Sequence, residues 1–307
     1  MPIYKSIKVI IHFRSSIIFL SISGFVFFAV SCKLTQSRLW KAQDVTAEHL
    51  FTNNCEGPAT DKRGNLFVVN MEKDGTVALI RMKTKPQIFI NLPEGCIGNG
   101  IRFNTSGEMF IADFKGHNVL KVDVKTRKIS VLVHSDQFNQ PNDIAISNSG
   151  ILFASDPNWS NSTGVIWKIM PDDQLVMLEQ NMGTTNGIEV SPDDKHLYVN
   201  ESAQLKIWIY NLDANGNVSG KRLFYQFKDF GLDGMRCDHK GNLYVARYGK
   251  GCIAVLSPEG KLIREVKTKG LKTSNVTFGG KNNKTIYVTL QDRGAIEFFL
   301  NDIRGAR

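Results

Sequence analysis

The sequence lacks the motifs that mark many enzyme classes. It has no GxSxG nucleophile motif, no P-loop and no dinucleotide fingerprint, which argues against the serine hydrolases, nucleotide hydrolases and dehydrogenases that carry them. Its six histidines show no metal-ligand spacing. The formal charge is +9, but lysine and arginine are scattered, with no run of five or more. A nucleic-acid partner is therefore not expected.

Cysteine is also scarce, and its five copies contain no CxxC motif and no Cys/His cluster. Cys32 stands apart near the N-terminus. The other four, Cys55, Cys96, Cys237 and Cys252, could pair in three ways, among which the sequence does not choose. We expect mostly buried free thiols, which behave as small apolar residues.

Amphipathic helical stretches longer than a few turns are missing as well. What recurs instead is a turn residue followed by a short apolar run with a central aromatic, first seen at Gly64-Asn65-Leu66-Phe67-Val68-Val69. Counted from Leu66, this pattern returns at intervals of 43, 43, 45, 46 and 43 residues. The six anchor residues are Leu66, Met109, Leu152, Leu197, Leu243 and Ile286.

The repeat length predicts the fold. Repeats of this size, with further strand-like stretches between turn clusters, are typical of four-stranded propeller blades. An α-solenoid of similar period would need helical periodicity. We therefore expect an all-β, six-bladed β-propeller with four-stranded blades over residues 50–300. Residues 32–49 are expected to form a tether and residues 301–307 a tail.

The first 31 residues contain no acid and form an expected export signal. The mostly apolar run from Ile17 to Val30 has the length of a signal h-region and is short for a membrane span. It ends at Ala29-Val30-Ser31-Cys32, which resembles a bacterial lipoprotein cleavage site with Cys32 lipidated. The alternatives are an ordinary cleaved signal, giving a periplasmic or secreted protein, and an uncleaved anchor. Each places the domain outside the cytoplasm, with membrane contact only through this segment.

A polar residue precedes every anchor by ten or eleven positions. In a propeller the innermost strand of each blade runs along the central axis, so equivalent positions at its entrance face one another. Two carboxylates brought together with four amides repel each other and resist burial unless a cation joins them. The six ring positions are Glu56, Asn99, Asn142, Asn186, Asp233 and Asn275.

These six residues could instead cap turns between blades, since Asn-Gly and Asp-Gly occur at Asn186-Gly187 and Asp233-Gly234. Six matches in register favour a metal site. Ca²⁺ takes about six to eight oxygen ligands, including carboxylates and amide carbonyls. We expect one divalent cation, most readily Ca²⁺, with Mg²⁺, Mn²⁺ and Zn²⁺ as alternatives. Zn²⁺ favours His or Cys, which the ring does not supply.

Short motifs surround the ring positions. They are Glu56-Gly57-Pro58, Pro141-Asn142-Asp143-Ile144, Ser155-Asp156-Pro157-Asn158-Trp159, Thr185-Asn186-Gly187-Ile188, Leu232-Asp233-Gly234-Met235 and Ser274-Asn275-Val276-Thr277-Phe278-Gly279-Gly280. Through them, residues 50–300 resemble the SMP-30, gluconolactonase and luciferin-regenerating-enzyme family. The resemblance implies a six-bladed propeller with one divalent cation, commonly Ca²⁺, in the central channel. It implies Glu56, Asn186 and Asp233 as metal ligands, with Asn142 beside them on the metal, the substrate or water.

The activity that this resemblance implies is hydrolysis of a lactone or a related ester. A cation can polarise the ester carbonyl and stabilise the developing oxyanion. A neighbouring carboxylate can take a proton from water. Asp233 is our first candidate for this base, and Asp143 is the second.

Further residues are candidates for contact with the substrate. Sugar-lactonase members of the family carry Arg two positions before the Asn of the Asn-Asp pair, where this chain has Gln140, so sugar lactones are disfavoured. Trp159 could line the mouth of the channel. Acids that follow a strand directly, as Asp113 and Asp156 do, can also simply solvate a loop. The candidate substrate contacts are Asn99, Asn142, Asn275, Asp113 and Asp156.

The main alternative to an enzyme is a non-enzymatic, extracytoplasmic binding propeller with a structural Ca²⁺ ion, because fold alone does not decide function. An acidic ring at an open mouth, with further acids nearby, favours the hydrolase. Metal-free chemistry like that of strictosidine synthase is disfavoured by the set of Glu56, Asn186 and Asp233.

Overall fold

The computed structural model describes residues 39–81 and 84–306. The chain divides into a first unit over Met1–Trp40 and a second over Lys41–Arg307. The expected export signal, residues 1–31, and the expected lipidation site at Cys32 lie outside the described residues. In the part of the chain that is described, no helix is long and apolar enough to cross a membrane.

The second unit consists of six antiparallel four-stranded sheets. The first strands of neighbouring sheets contact each other in chain order, and the first strand of the sixth sheet contacts that of the first. The sheets are therefore the blades of a closed six-bladed propeller, as predicted. Blades one to three contain β2 (Phe51–Thr60), β3 (Leu66–Met71), β4 (Thr76–Ile80) and β5 (Gln87–Asn91); β6 (Gly98–Phe103), β7 (Met109–Asp113), β8 (Asn118–Val122) and β9 (Ile129–His134); β10 (Ile144–Ile146), β11 (Leu152–Asn158), β12 (Thr163–Ile169) and β13 (Leu175–Met182).

The later blades follow the same order. Blades four and five contain β14 (Thr185–Val190), β15 (His196–Glu201), β16 (Lys206–Leu212) and β17 (Val218–Gln226); β18 (Met235–Cys237), β19 (Leu243–Arg247), β20 (Cys252–Leu256) and β21 (Leu262–Lys267). Blade six contains β22 (Thr273–Gly279), β23 (Thr285–Leu290) and β24 (Ala295–Leu300), with a short 3₁₀ turn at Lys281–Asn283.

Each aromatic run of the repeat forms the second strand of a blade. Its central aromatic is at most 6% exposed in all six blades, because alternate side chains of a strand face the neighbouring blade. Between blades one and two, for example, Phe67 and Val69 pack with Ile101 and Ile111. The core therefore lies between the blades. The six aromatics are Phe67, Phe110, Phe153, Tyr198, Tyr244 and Tyr287.

The outermost strand of blade six comes from the beginning of the second unit. This strand, β1 (Gln43–Asp44), pairs with β24 through Gln43 to Phe298 and Asp44 to Glu297. Arg293 holds it with ion pairs to Asp44 at 2.8 Å and to Glu48 at 2.7 Å. The residues of β1 lie within the expected tether, residues 32–49, but they close the ring by completing blade six. A two-residue strand carries no apolar alternation that a sequence pattern could reveal.

The expected tail also returns to the propeller. Asn301 is 3% exposed and donates to the Tyr244 hydroxyl at 2.8 Å, and Gly305 forms a bridge with Asp238. Residues 301–306 are thus part of the folded unit. The prediction for Cys55, Cys96, Cys237 and Cys252 is confirmed, since no disulfide joins any of them, three are buried, and Cys96 is half-buried.

Candidate functional site

Five of the six ring residues line one cavity at the end of the channel where the inner strands begin. Its volume is about 360 Å³. The ring residues that face it are Glu56, Asn99, Asn142, Asn186 and Asp233. The other lining residues are Asn54, Phe114, Gln140, Trp159, Ser202, Tyr248 and Gln291.

Asn275, the sixth ring residue, lies behind this wall. It is 1% exposed, and its side chain hydrogen-bonds to Glu56. Its Oδ1 also accepts a bond from the backbone N–H of Val276 at 2.8 Å. Asn275 therefore orients Glu56 and is not in the cavity lining.

The ring amides donate to the backbone of the neighbouring blade. Asn99 Nδ2 donates to the carbonyl of Asn142 at 3.1 Å, and Asn186 Nδ2 lies 3.5 Å from the carbonyl of Leu232. The Oδ1 atoms of Asn142 and Asn186 are buried and accept no hydrogen bond from the described residues. Such oxygens are uncommon in folded proteins and call for an explanation, such as an ion.

Glycine follows four of the ring residues and lets the inner strands approach closely. A Cβ atom on Gly234 would lie 2.0 Å from Cγ of Asn275, and one on Gly57 would lie 1.9 Å from the carbonyl oxygen of Asn99. Neither position could carry a side chain without separating the blades. The glycines that follow Glu56 and Asp233 thus allow the inner strands to lie this close together.

The two ring carboxylates are buried together. Burial raises the pKa of Glu56 to about 7, although a hydrogen bond from the backbone N–H of Gly57 opposes this. Burial also raises the pKa of Asp233 well above its usual range, and the negative charge of Glu56 adds to the effect. Among the described residues, no lysine, arginine or histidine forms an ion pair with either carboxylate. Both are therefore costly to ionise unless a cation binds.

Asp143, the second candidate base, is placed differently. It is 1% exposed and lies between two buried arginines, with Oδ1 3.2 Å from Arg102 Nη1 and Oδ2 3.5 Å from Arg236 Nη1. Arg102 also pairs with Glu189 at 3.4 Å. Asp143 is not in the cavity lining. Because it pairs with both arginines, its carboxylate neutralises their charge beneath the ring.

Among the residues that the structure describes, the buried charges of the channel therefore sum to minus two when all are ionised. Arg102 and Arg236 balance Asp143 and Glu189, which leaves the charges of Glu56 and Asp233. Over residues 39–81 and 84–306, no group of three or more His, Cys, Asp or Glu is placed to hold a metal. A metal here would need amide oxygens beside the two carboxylates. This donor set suits a hard cation such as Ca²⁺.

Asp113 and Asp156, which we expected to contact substrate, hold loops. Asp156 accepts hydrogen bonds from the backbone N–H groups of Asn139 and Gln140, at 3.0 and 2.6 Å, and from the indole of Trp167 at 2.9 Å. Asp113 accepts bonds from the N–H groups of Ile97 and Gly116. Neither lines the cavity. Trp159 does, as predicted.

Sequence reasoning missed Asn54 and also four further lining residues, which share a signal. Each of the four lies five positions after its anchor, directly after the strand position taken by Asp113 in blade two. Because neighbouring side chains on a strand point to opposite faces, the next position faces the channel mouth. These residues are Phe114, Ser202, Tyr248 and Gln291.

Asn200, which does not line the cavity, was also missed. It is fully buried beside the ring, where its Nδ2 donates to the carbonyl of Asp233 at 2.6 Å. Its Oδ1 accepts from the N–H of Gly187 at 3.2 Å. Asn200 therefore ties the strand that carries Asn186 to the segment that carries Asp233.

The fold and site define a six-bladed propeller with an acid-bearing ring at one mouth of its channel. Residues 54–292 match the family described as the SMP-30/Gluconolactonase/LRE-like region. The chain belongs to this family, as its motifs indicated.

Two curated relatives cover most of the chain. A gluconolactonase of Zymomonas mobilis is 31% identical over 271 residues, which cover 76% of this chain and 75% of the relative. A diisopropyl-fluorophosphatase of Loligo vulgaris is 26% identical over 287 residues, which cover 81% of this chain and 91% of the relative. Both names are those of hydrolytic enzymes, so the family is of lactonase or esterase type.

Solved structures share the fold. A calcium-binding protein, regucalcin, from Agrobacterium tumefaciens superimposes with a TM-score of 0.74 at 20% identity, covering 87% of this chain and 94% of that one. A gluconolactonase from Xanthomonas campestris gives 0.73 at 19% identity, covering 84% and 89%. These similarities support the six-bladed architecture.

Proposed function

We propose that this chain is a divalent-cation-dependent hydrolase of lactones or related esters. One observation carries the proposal: two buried carboxylates share a cavity with two amides, and among the described residues the carboxylates have no cationic partner and the amide oxygens accept no hydrogen bond. The 31% identity to a gluconolactonase supports the reaction class. Membership of the SMP-30/Gluconolactonase/LRE-like family also supports a hydrolase of this class.

Glu56, Asn142, Asn186 and Asp233 would hold the cation. Their oxygens match the preference of Ca²⁺ for carboxylates and amide carbonyls. The related Agrobacterium propeller is described as calcium-binding. The two positive charges of a divalent cation would balance the two ring carboxylates, which is why we propose a divalent ion. Asn275 and Asn200 would fix the ring from behind.

When bound, the cation would polarise the lactone carbonyl and stabilise negative charge on its oxygen. Asp233 faces the cavity and would accept the proton of the attacking water. Asn99, whose Nδ2 is engaged by the Asn142 carbonyl, would present its Oδ1 to substrate or water. Asp143 is a weaker candidate for the base, because both of its oxygens lie beside arginines.

The test is a lactonase assay of chelator-treated protein with cations added back. We expect hydrolysis to return with one of Ca²⁺, Mg²⁺, Mn²⁺ or Zn²⁺, and to stay at least about a hundredfold lower in Asp233→Asn with every cation. Asp136→Asn, an acid exposed on the surface, is the matched control and should behave as wild type. If no lactone or ester reacts while Ca²⁺ still raises the melting temperature, the hydrolase proposal is overturned in favour of a binding propeller.

We also propose export and lipidation at Cys32, on the basis of residues 1–32 alone. In a bacterial host, the full chain should incorporate labelled fatty acid and fractionate with membranes. Cys32→Ala should abolish the label. Export without label would indicate an ordinary signal or an uncleaved anchor.

A further inference from the structure

Three aromatic side chains surround the mouth of the cavity. Phe114, Trp159 and Tyr248 lie in the hairpins that join the second and third strands of blades two, three and five. In a ring of six, blade five stands opposite blade two. Phe114 and Trp159 therefore form one side of the mouth, and Tyr248 faces them across it. Trp159 is 45% exposed, and three large aromatic side chains around one cavity form the kind of apolar patch that marks a ligand-binding site.

The charge of the cavity restricts what can bind. Of its described lining residues, two are acidic and none is lysine, arginine or histidine. Lys272 approaches the Tyr248 ring to 6.0 Å but is not in the lining. A divalent cation would balance Glu56 and Asp233 and leave no surplus positive charge. A carboxylate or phosphate on the substrate would then lose its hydration without gaining a partner.

The volume of the cavity exceeds that of a bare lactone ring. About 360 Å³ lies within the range of roughly 300–1,000 Å³ of pockets that bury drug-sized ligands. A simple five-membered lactone is much smaller than such a ligand. With its carbonyl at the ring of carboxylates and amides, such a lactone would leave the space between the aromatics empty.

We infer that the substrate is an uncharged lactone or ester with an aryl or alkyl substituent, and that Phe114, Trp159 and Tyr248 bind this substituent. The inference rests on the proposed function, because that function places the carbonyl at Glu56 and Asp233. The substituent then points outward along the channel axis. Aromatic side chains bury apolar surface efficiently and stack on flat groups.

The first test compares kcat/KM for γ-butyrolactone, γ-nonalactone, dihydrocoumarin, glucono-δ-lactone and a γ-lactone bearing a carboxylate. We expect the alkyl and aryl lactones to exceed γ-butyrolactone by at least tenfold, because each buried methylene is worth about a three- to fourfold gain. Trp159→Ala and Phe114→Ala should remove most of this preference, so that the ratio of kcat/KM for γ-nonalactone to that for γ-butyrolactone falls by at least about threefold in each variant. Leu223→Ala, at an exposed apolar residue on the outer strand β17, is the control. Equal turnover of the carboxylate-bearing or sugar lactone would overturn the inference.

A second measurement separates this inference from the proposed hydrolysis. The lactam analogue of dihydrocoumarin resists hydrolysis and can be titrated calorimetrically into wild type and Trp159→Ala. If no lactone reacts but the lactam binds wild type and binds the variant at least tenfold more weakly, the apolar site stands and the hydrolase does not. If lactones react without preference for a substituent, the hydrolase stands and this inference fails. If no lactone reacts and no lactam binds, both fail.

Discussion

The channel contains two pairs of buried carboxylates that differ in their partners. Asp143 and Glu189 lie among Arg102 and Arg236, at distances of 3.2 to 3.5 Å where the ion pairs form. Glu56 and Asp233, at the mouth, have no basic partner among the described residues. Both pairs are equally buried, since each of the four carboxylates is at most 8% exposed.

This difference separates structure from function. When a buried carboxylate has a guanidinium partner, the folded protein itself compensates its charge. A buried carboxylate without one destabilises the protein unless a ligand, a proton or an ion completes it. Proteins retain such groups mainly at functional sites. This difference supports the proposal that the mouth is the reactive end and that the arginine cluster supports it.

The largest effect should come from breaking the paired set. Asp143→Asn would leave Arg102 and Arg236 with one acid between them, and breaking a buried pair typically costs about 3–5 kcal/mol. Urea unfolding at pH 7 should show a loss of this size. Asp136→Asn, at an exposed acid, should change the unfolding free energy by less than about 0.5 kcal/mol. An unchanged unfolding midpoint in Asp143→Asn would show that the arginines do not depend on it.

Removing an unpaired carboxylate should act on catalysis instead. We expect Asp233→Asn to lower kcat/KM by about a hundredfold to a thousandfold, the range seen when a group that stabilises developing charge is lost. In metal-free protein the same change should not lower stability, because it removes a buried carboxylate that has no cationic partner among the described residues. A large loss of metal-free stability would contradict the comparison between the two pairs.

A cation bound by Glu56 and Asp233 should stabilise the folded protein. At a hundred times its dissociation constant, a bound ion raises the unfolding free energy by about 2.7 kcal/mol. Thermal unfolding of chelator-treated protein should show this gain with Ca²⁺. The double variant Glu56→Gln with Asp233→Asn should lose it. A gain of equal size in the double variant would place the ion elsewhere.

The regular parts of the fold could be predicted because every blade repeats the same alternation around a buried aromatic, such as Phe67 or Tyr244. Closure of the ring could not, because β1 is only two residues long and pairs across the whole chain. The ring of acids and amides could be predicted from the sequence for the same reason as the blades. Its members occupy one repeated position, and propeller geometry makes repeated positions converge.

The contacts that individual side chains make could not be predicted from the sequence. Asp143 looked like a base, yet Arg102 lies 41 residues before it and Arg236 is more distant still, so no local pattern joins them. Asp113 was expected at the mouth, but the mouth residue is Phe114, one position later. A shift of one residue on a strand turns a side chain to the other face.

The pH dependence of cation binding should sharpen the comparison with a smaller effect. Burial raises the pKa of Glu56 from its ordinary 4.5 to about 7 in the metal-free protein. The protonated form then stabilises the fold below pH 4.5, and this contribution is lost as the pH rises through about 7. A cation must displace that proton, so its affinity should fall by up to about tenfold per pH unit below 7 for each proton displaced.

Calorimetric titration of Ca²⁺ between pH 5.5 and 8 measures this dependence. Glu56→Gln should bind Ca²⁺ more weakly at pH 8 and show a shallower dependence on pH. An affinity that is independent of pH in wild type would mean that Glu56 is already ionised without the ion. It would also mean that the mouth contains a positive charge which the described residues do not provide.

The smallest effect is expected where a pair is exposed. Lys121 and Glu108 lie 2.5 Å apart with side chains 38% and 37% exposed, so water screens their attraction. Glu108→Gln should cost only about 0.2–1 kcal/mol, and the difference from wild type should shrink further in 1 M salt because the screening length falls to about 3 Å. Asp143→Asn, measured in the same salt series, should keep its full loss because its partners are buried. If salt reduced both losses alike, burial would not be what separates the channel carboxylates from those on the surface.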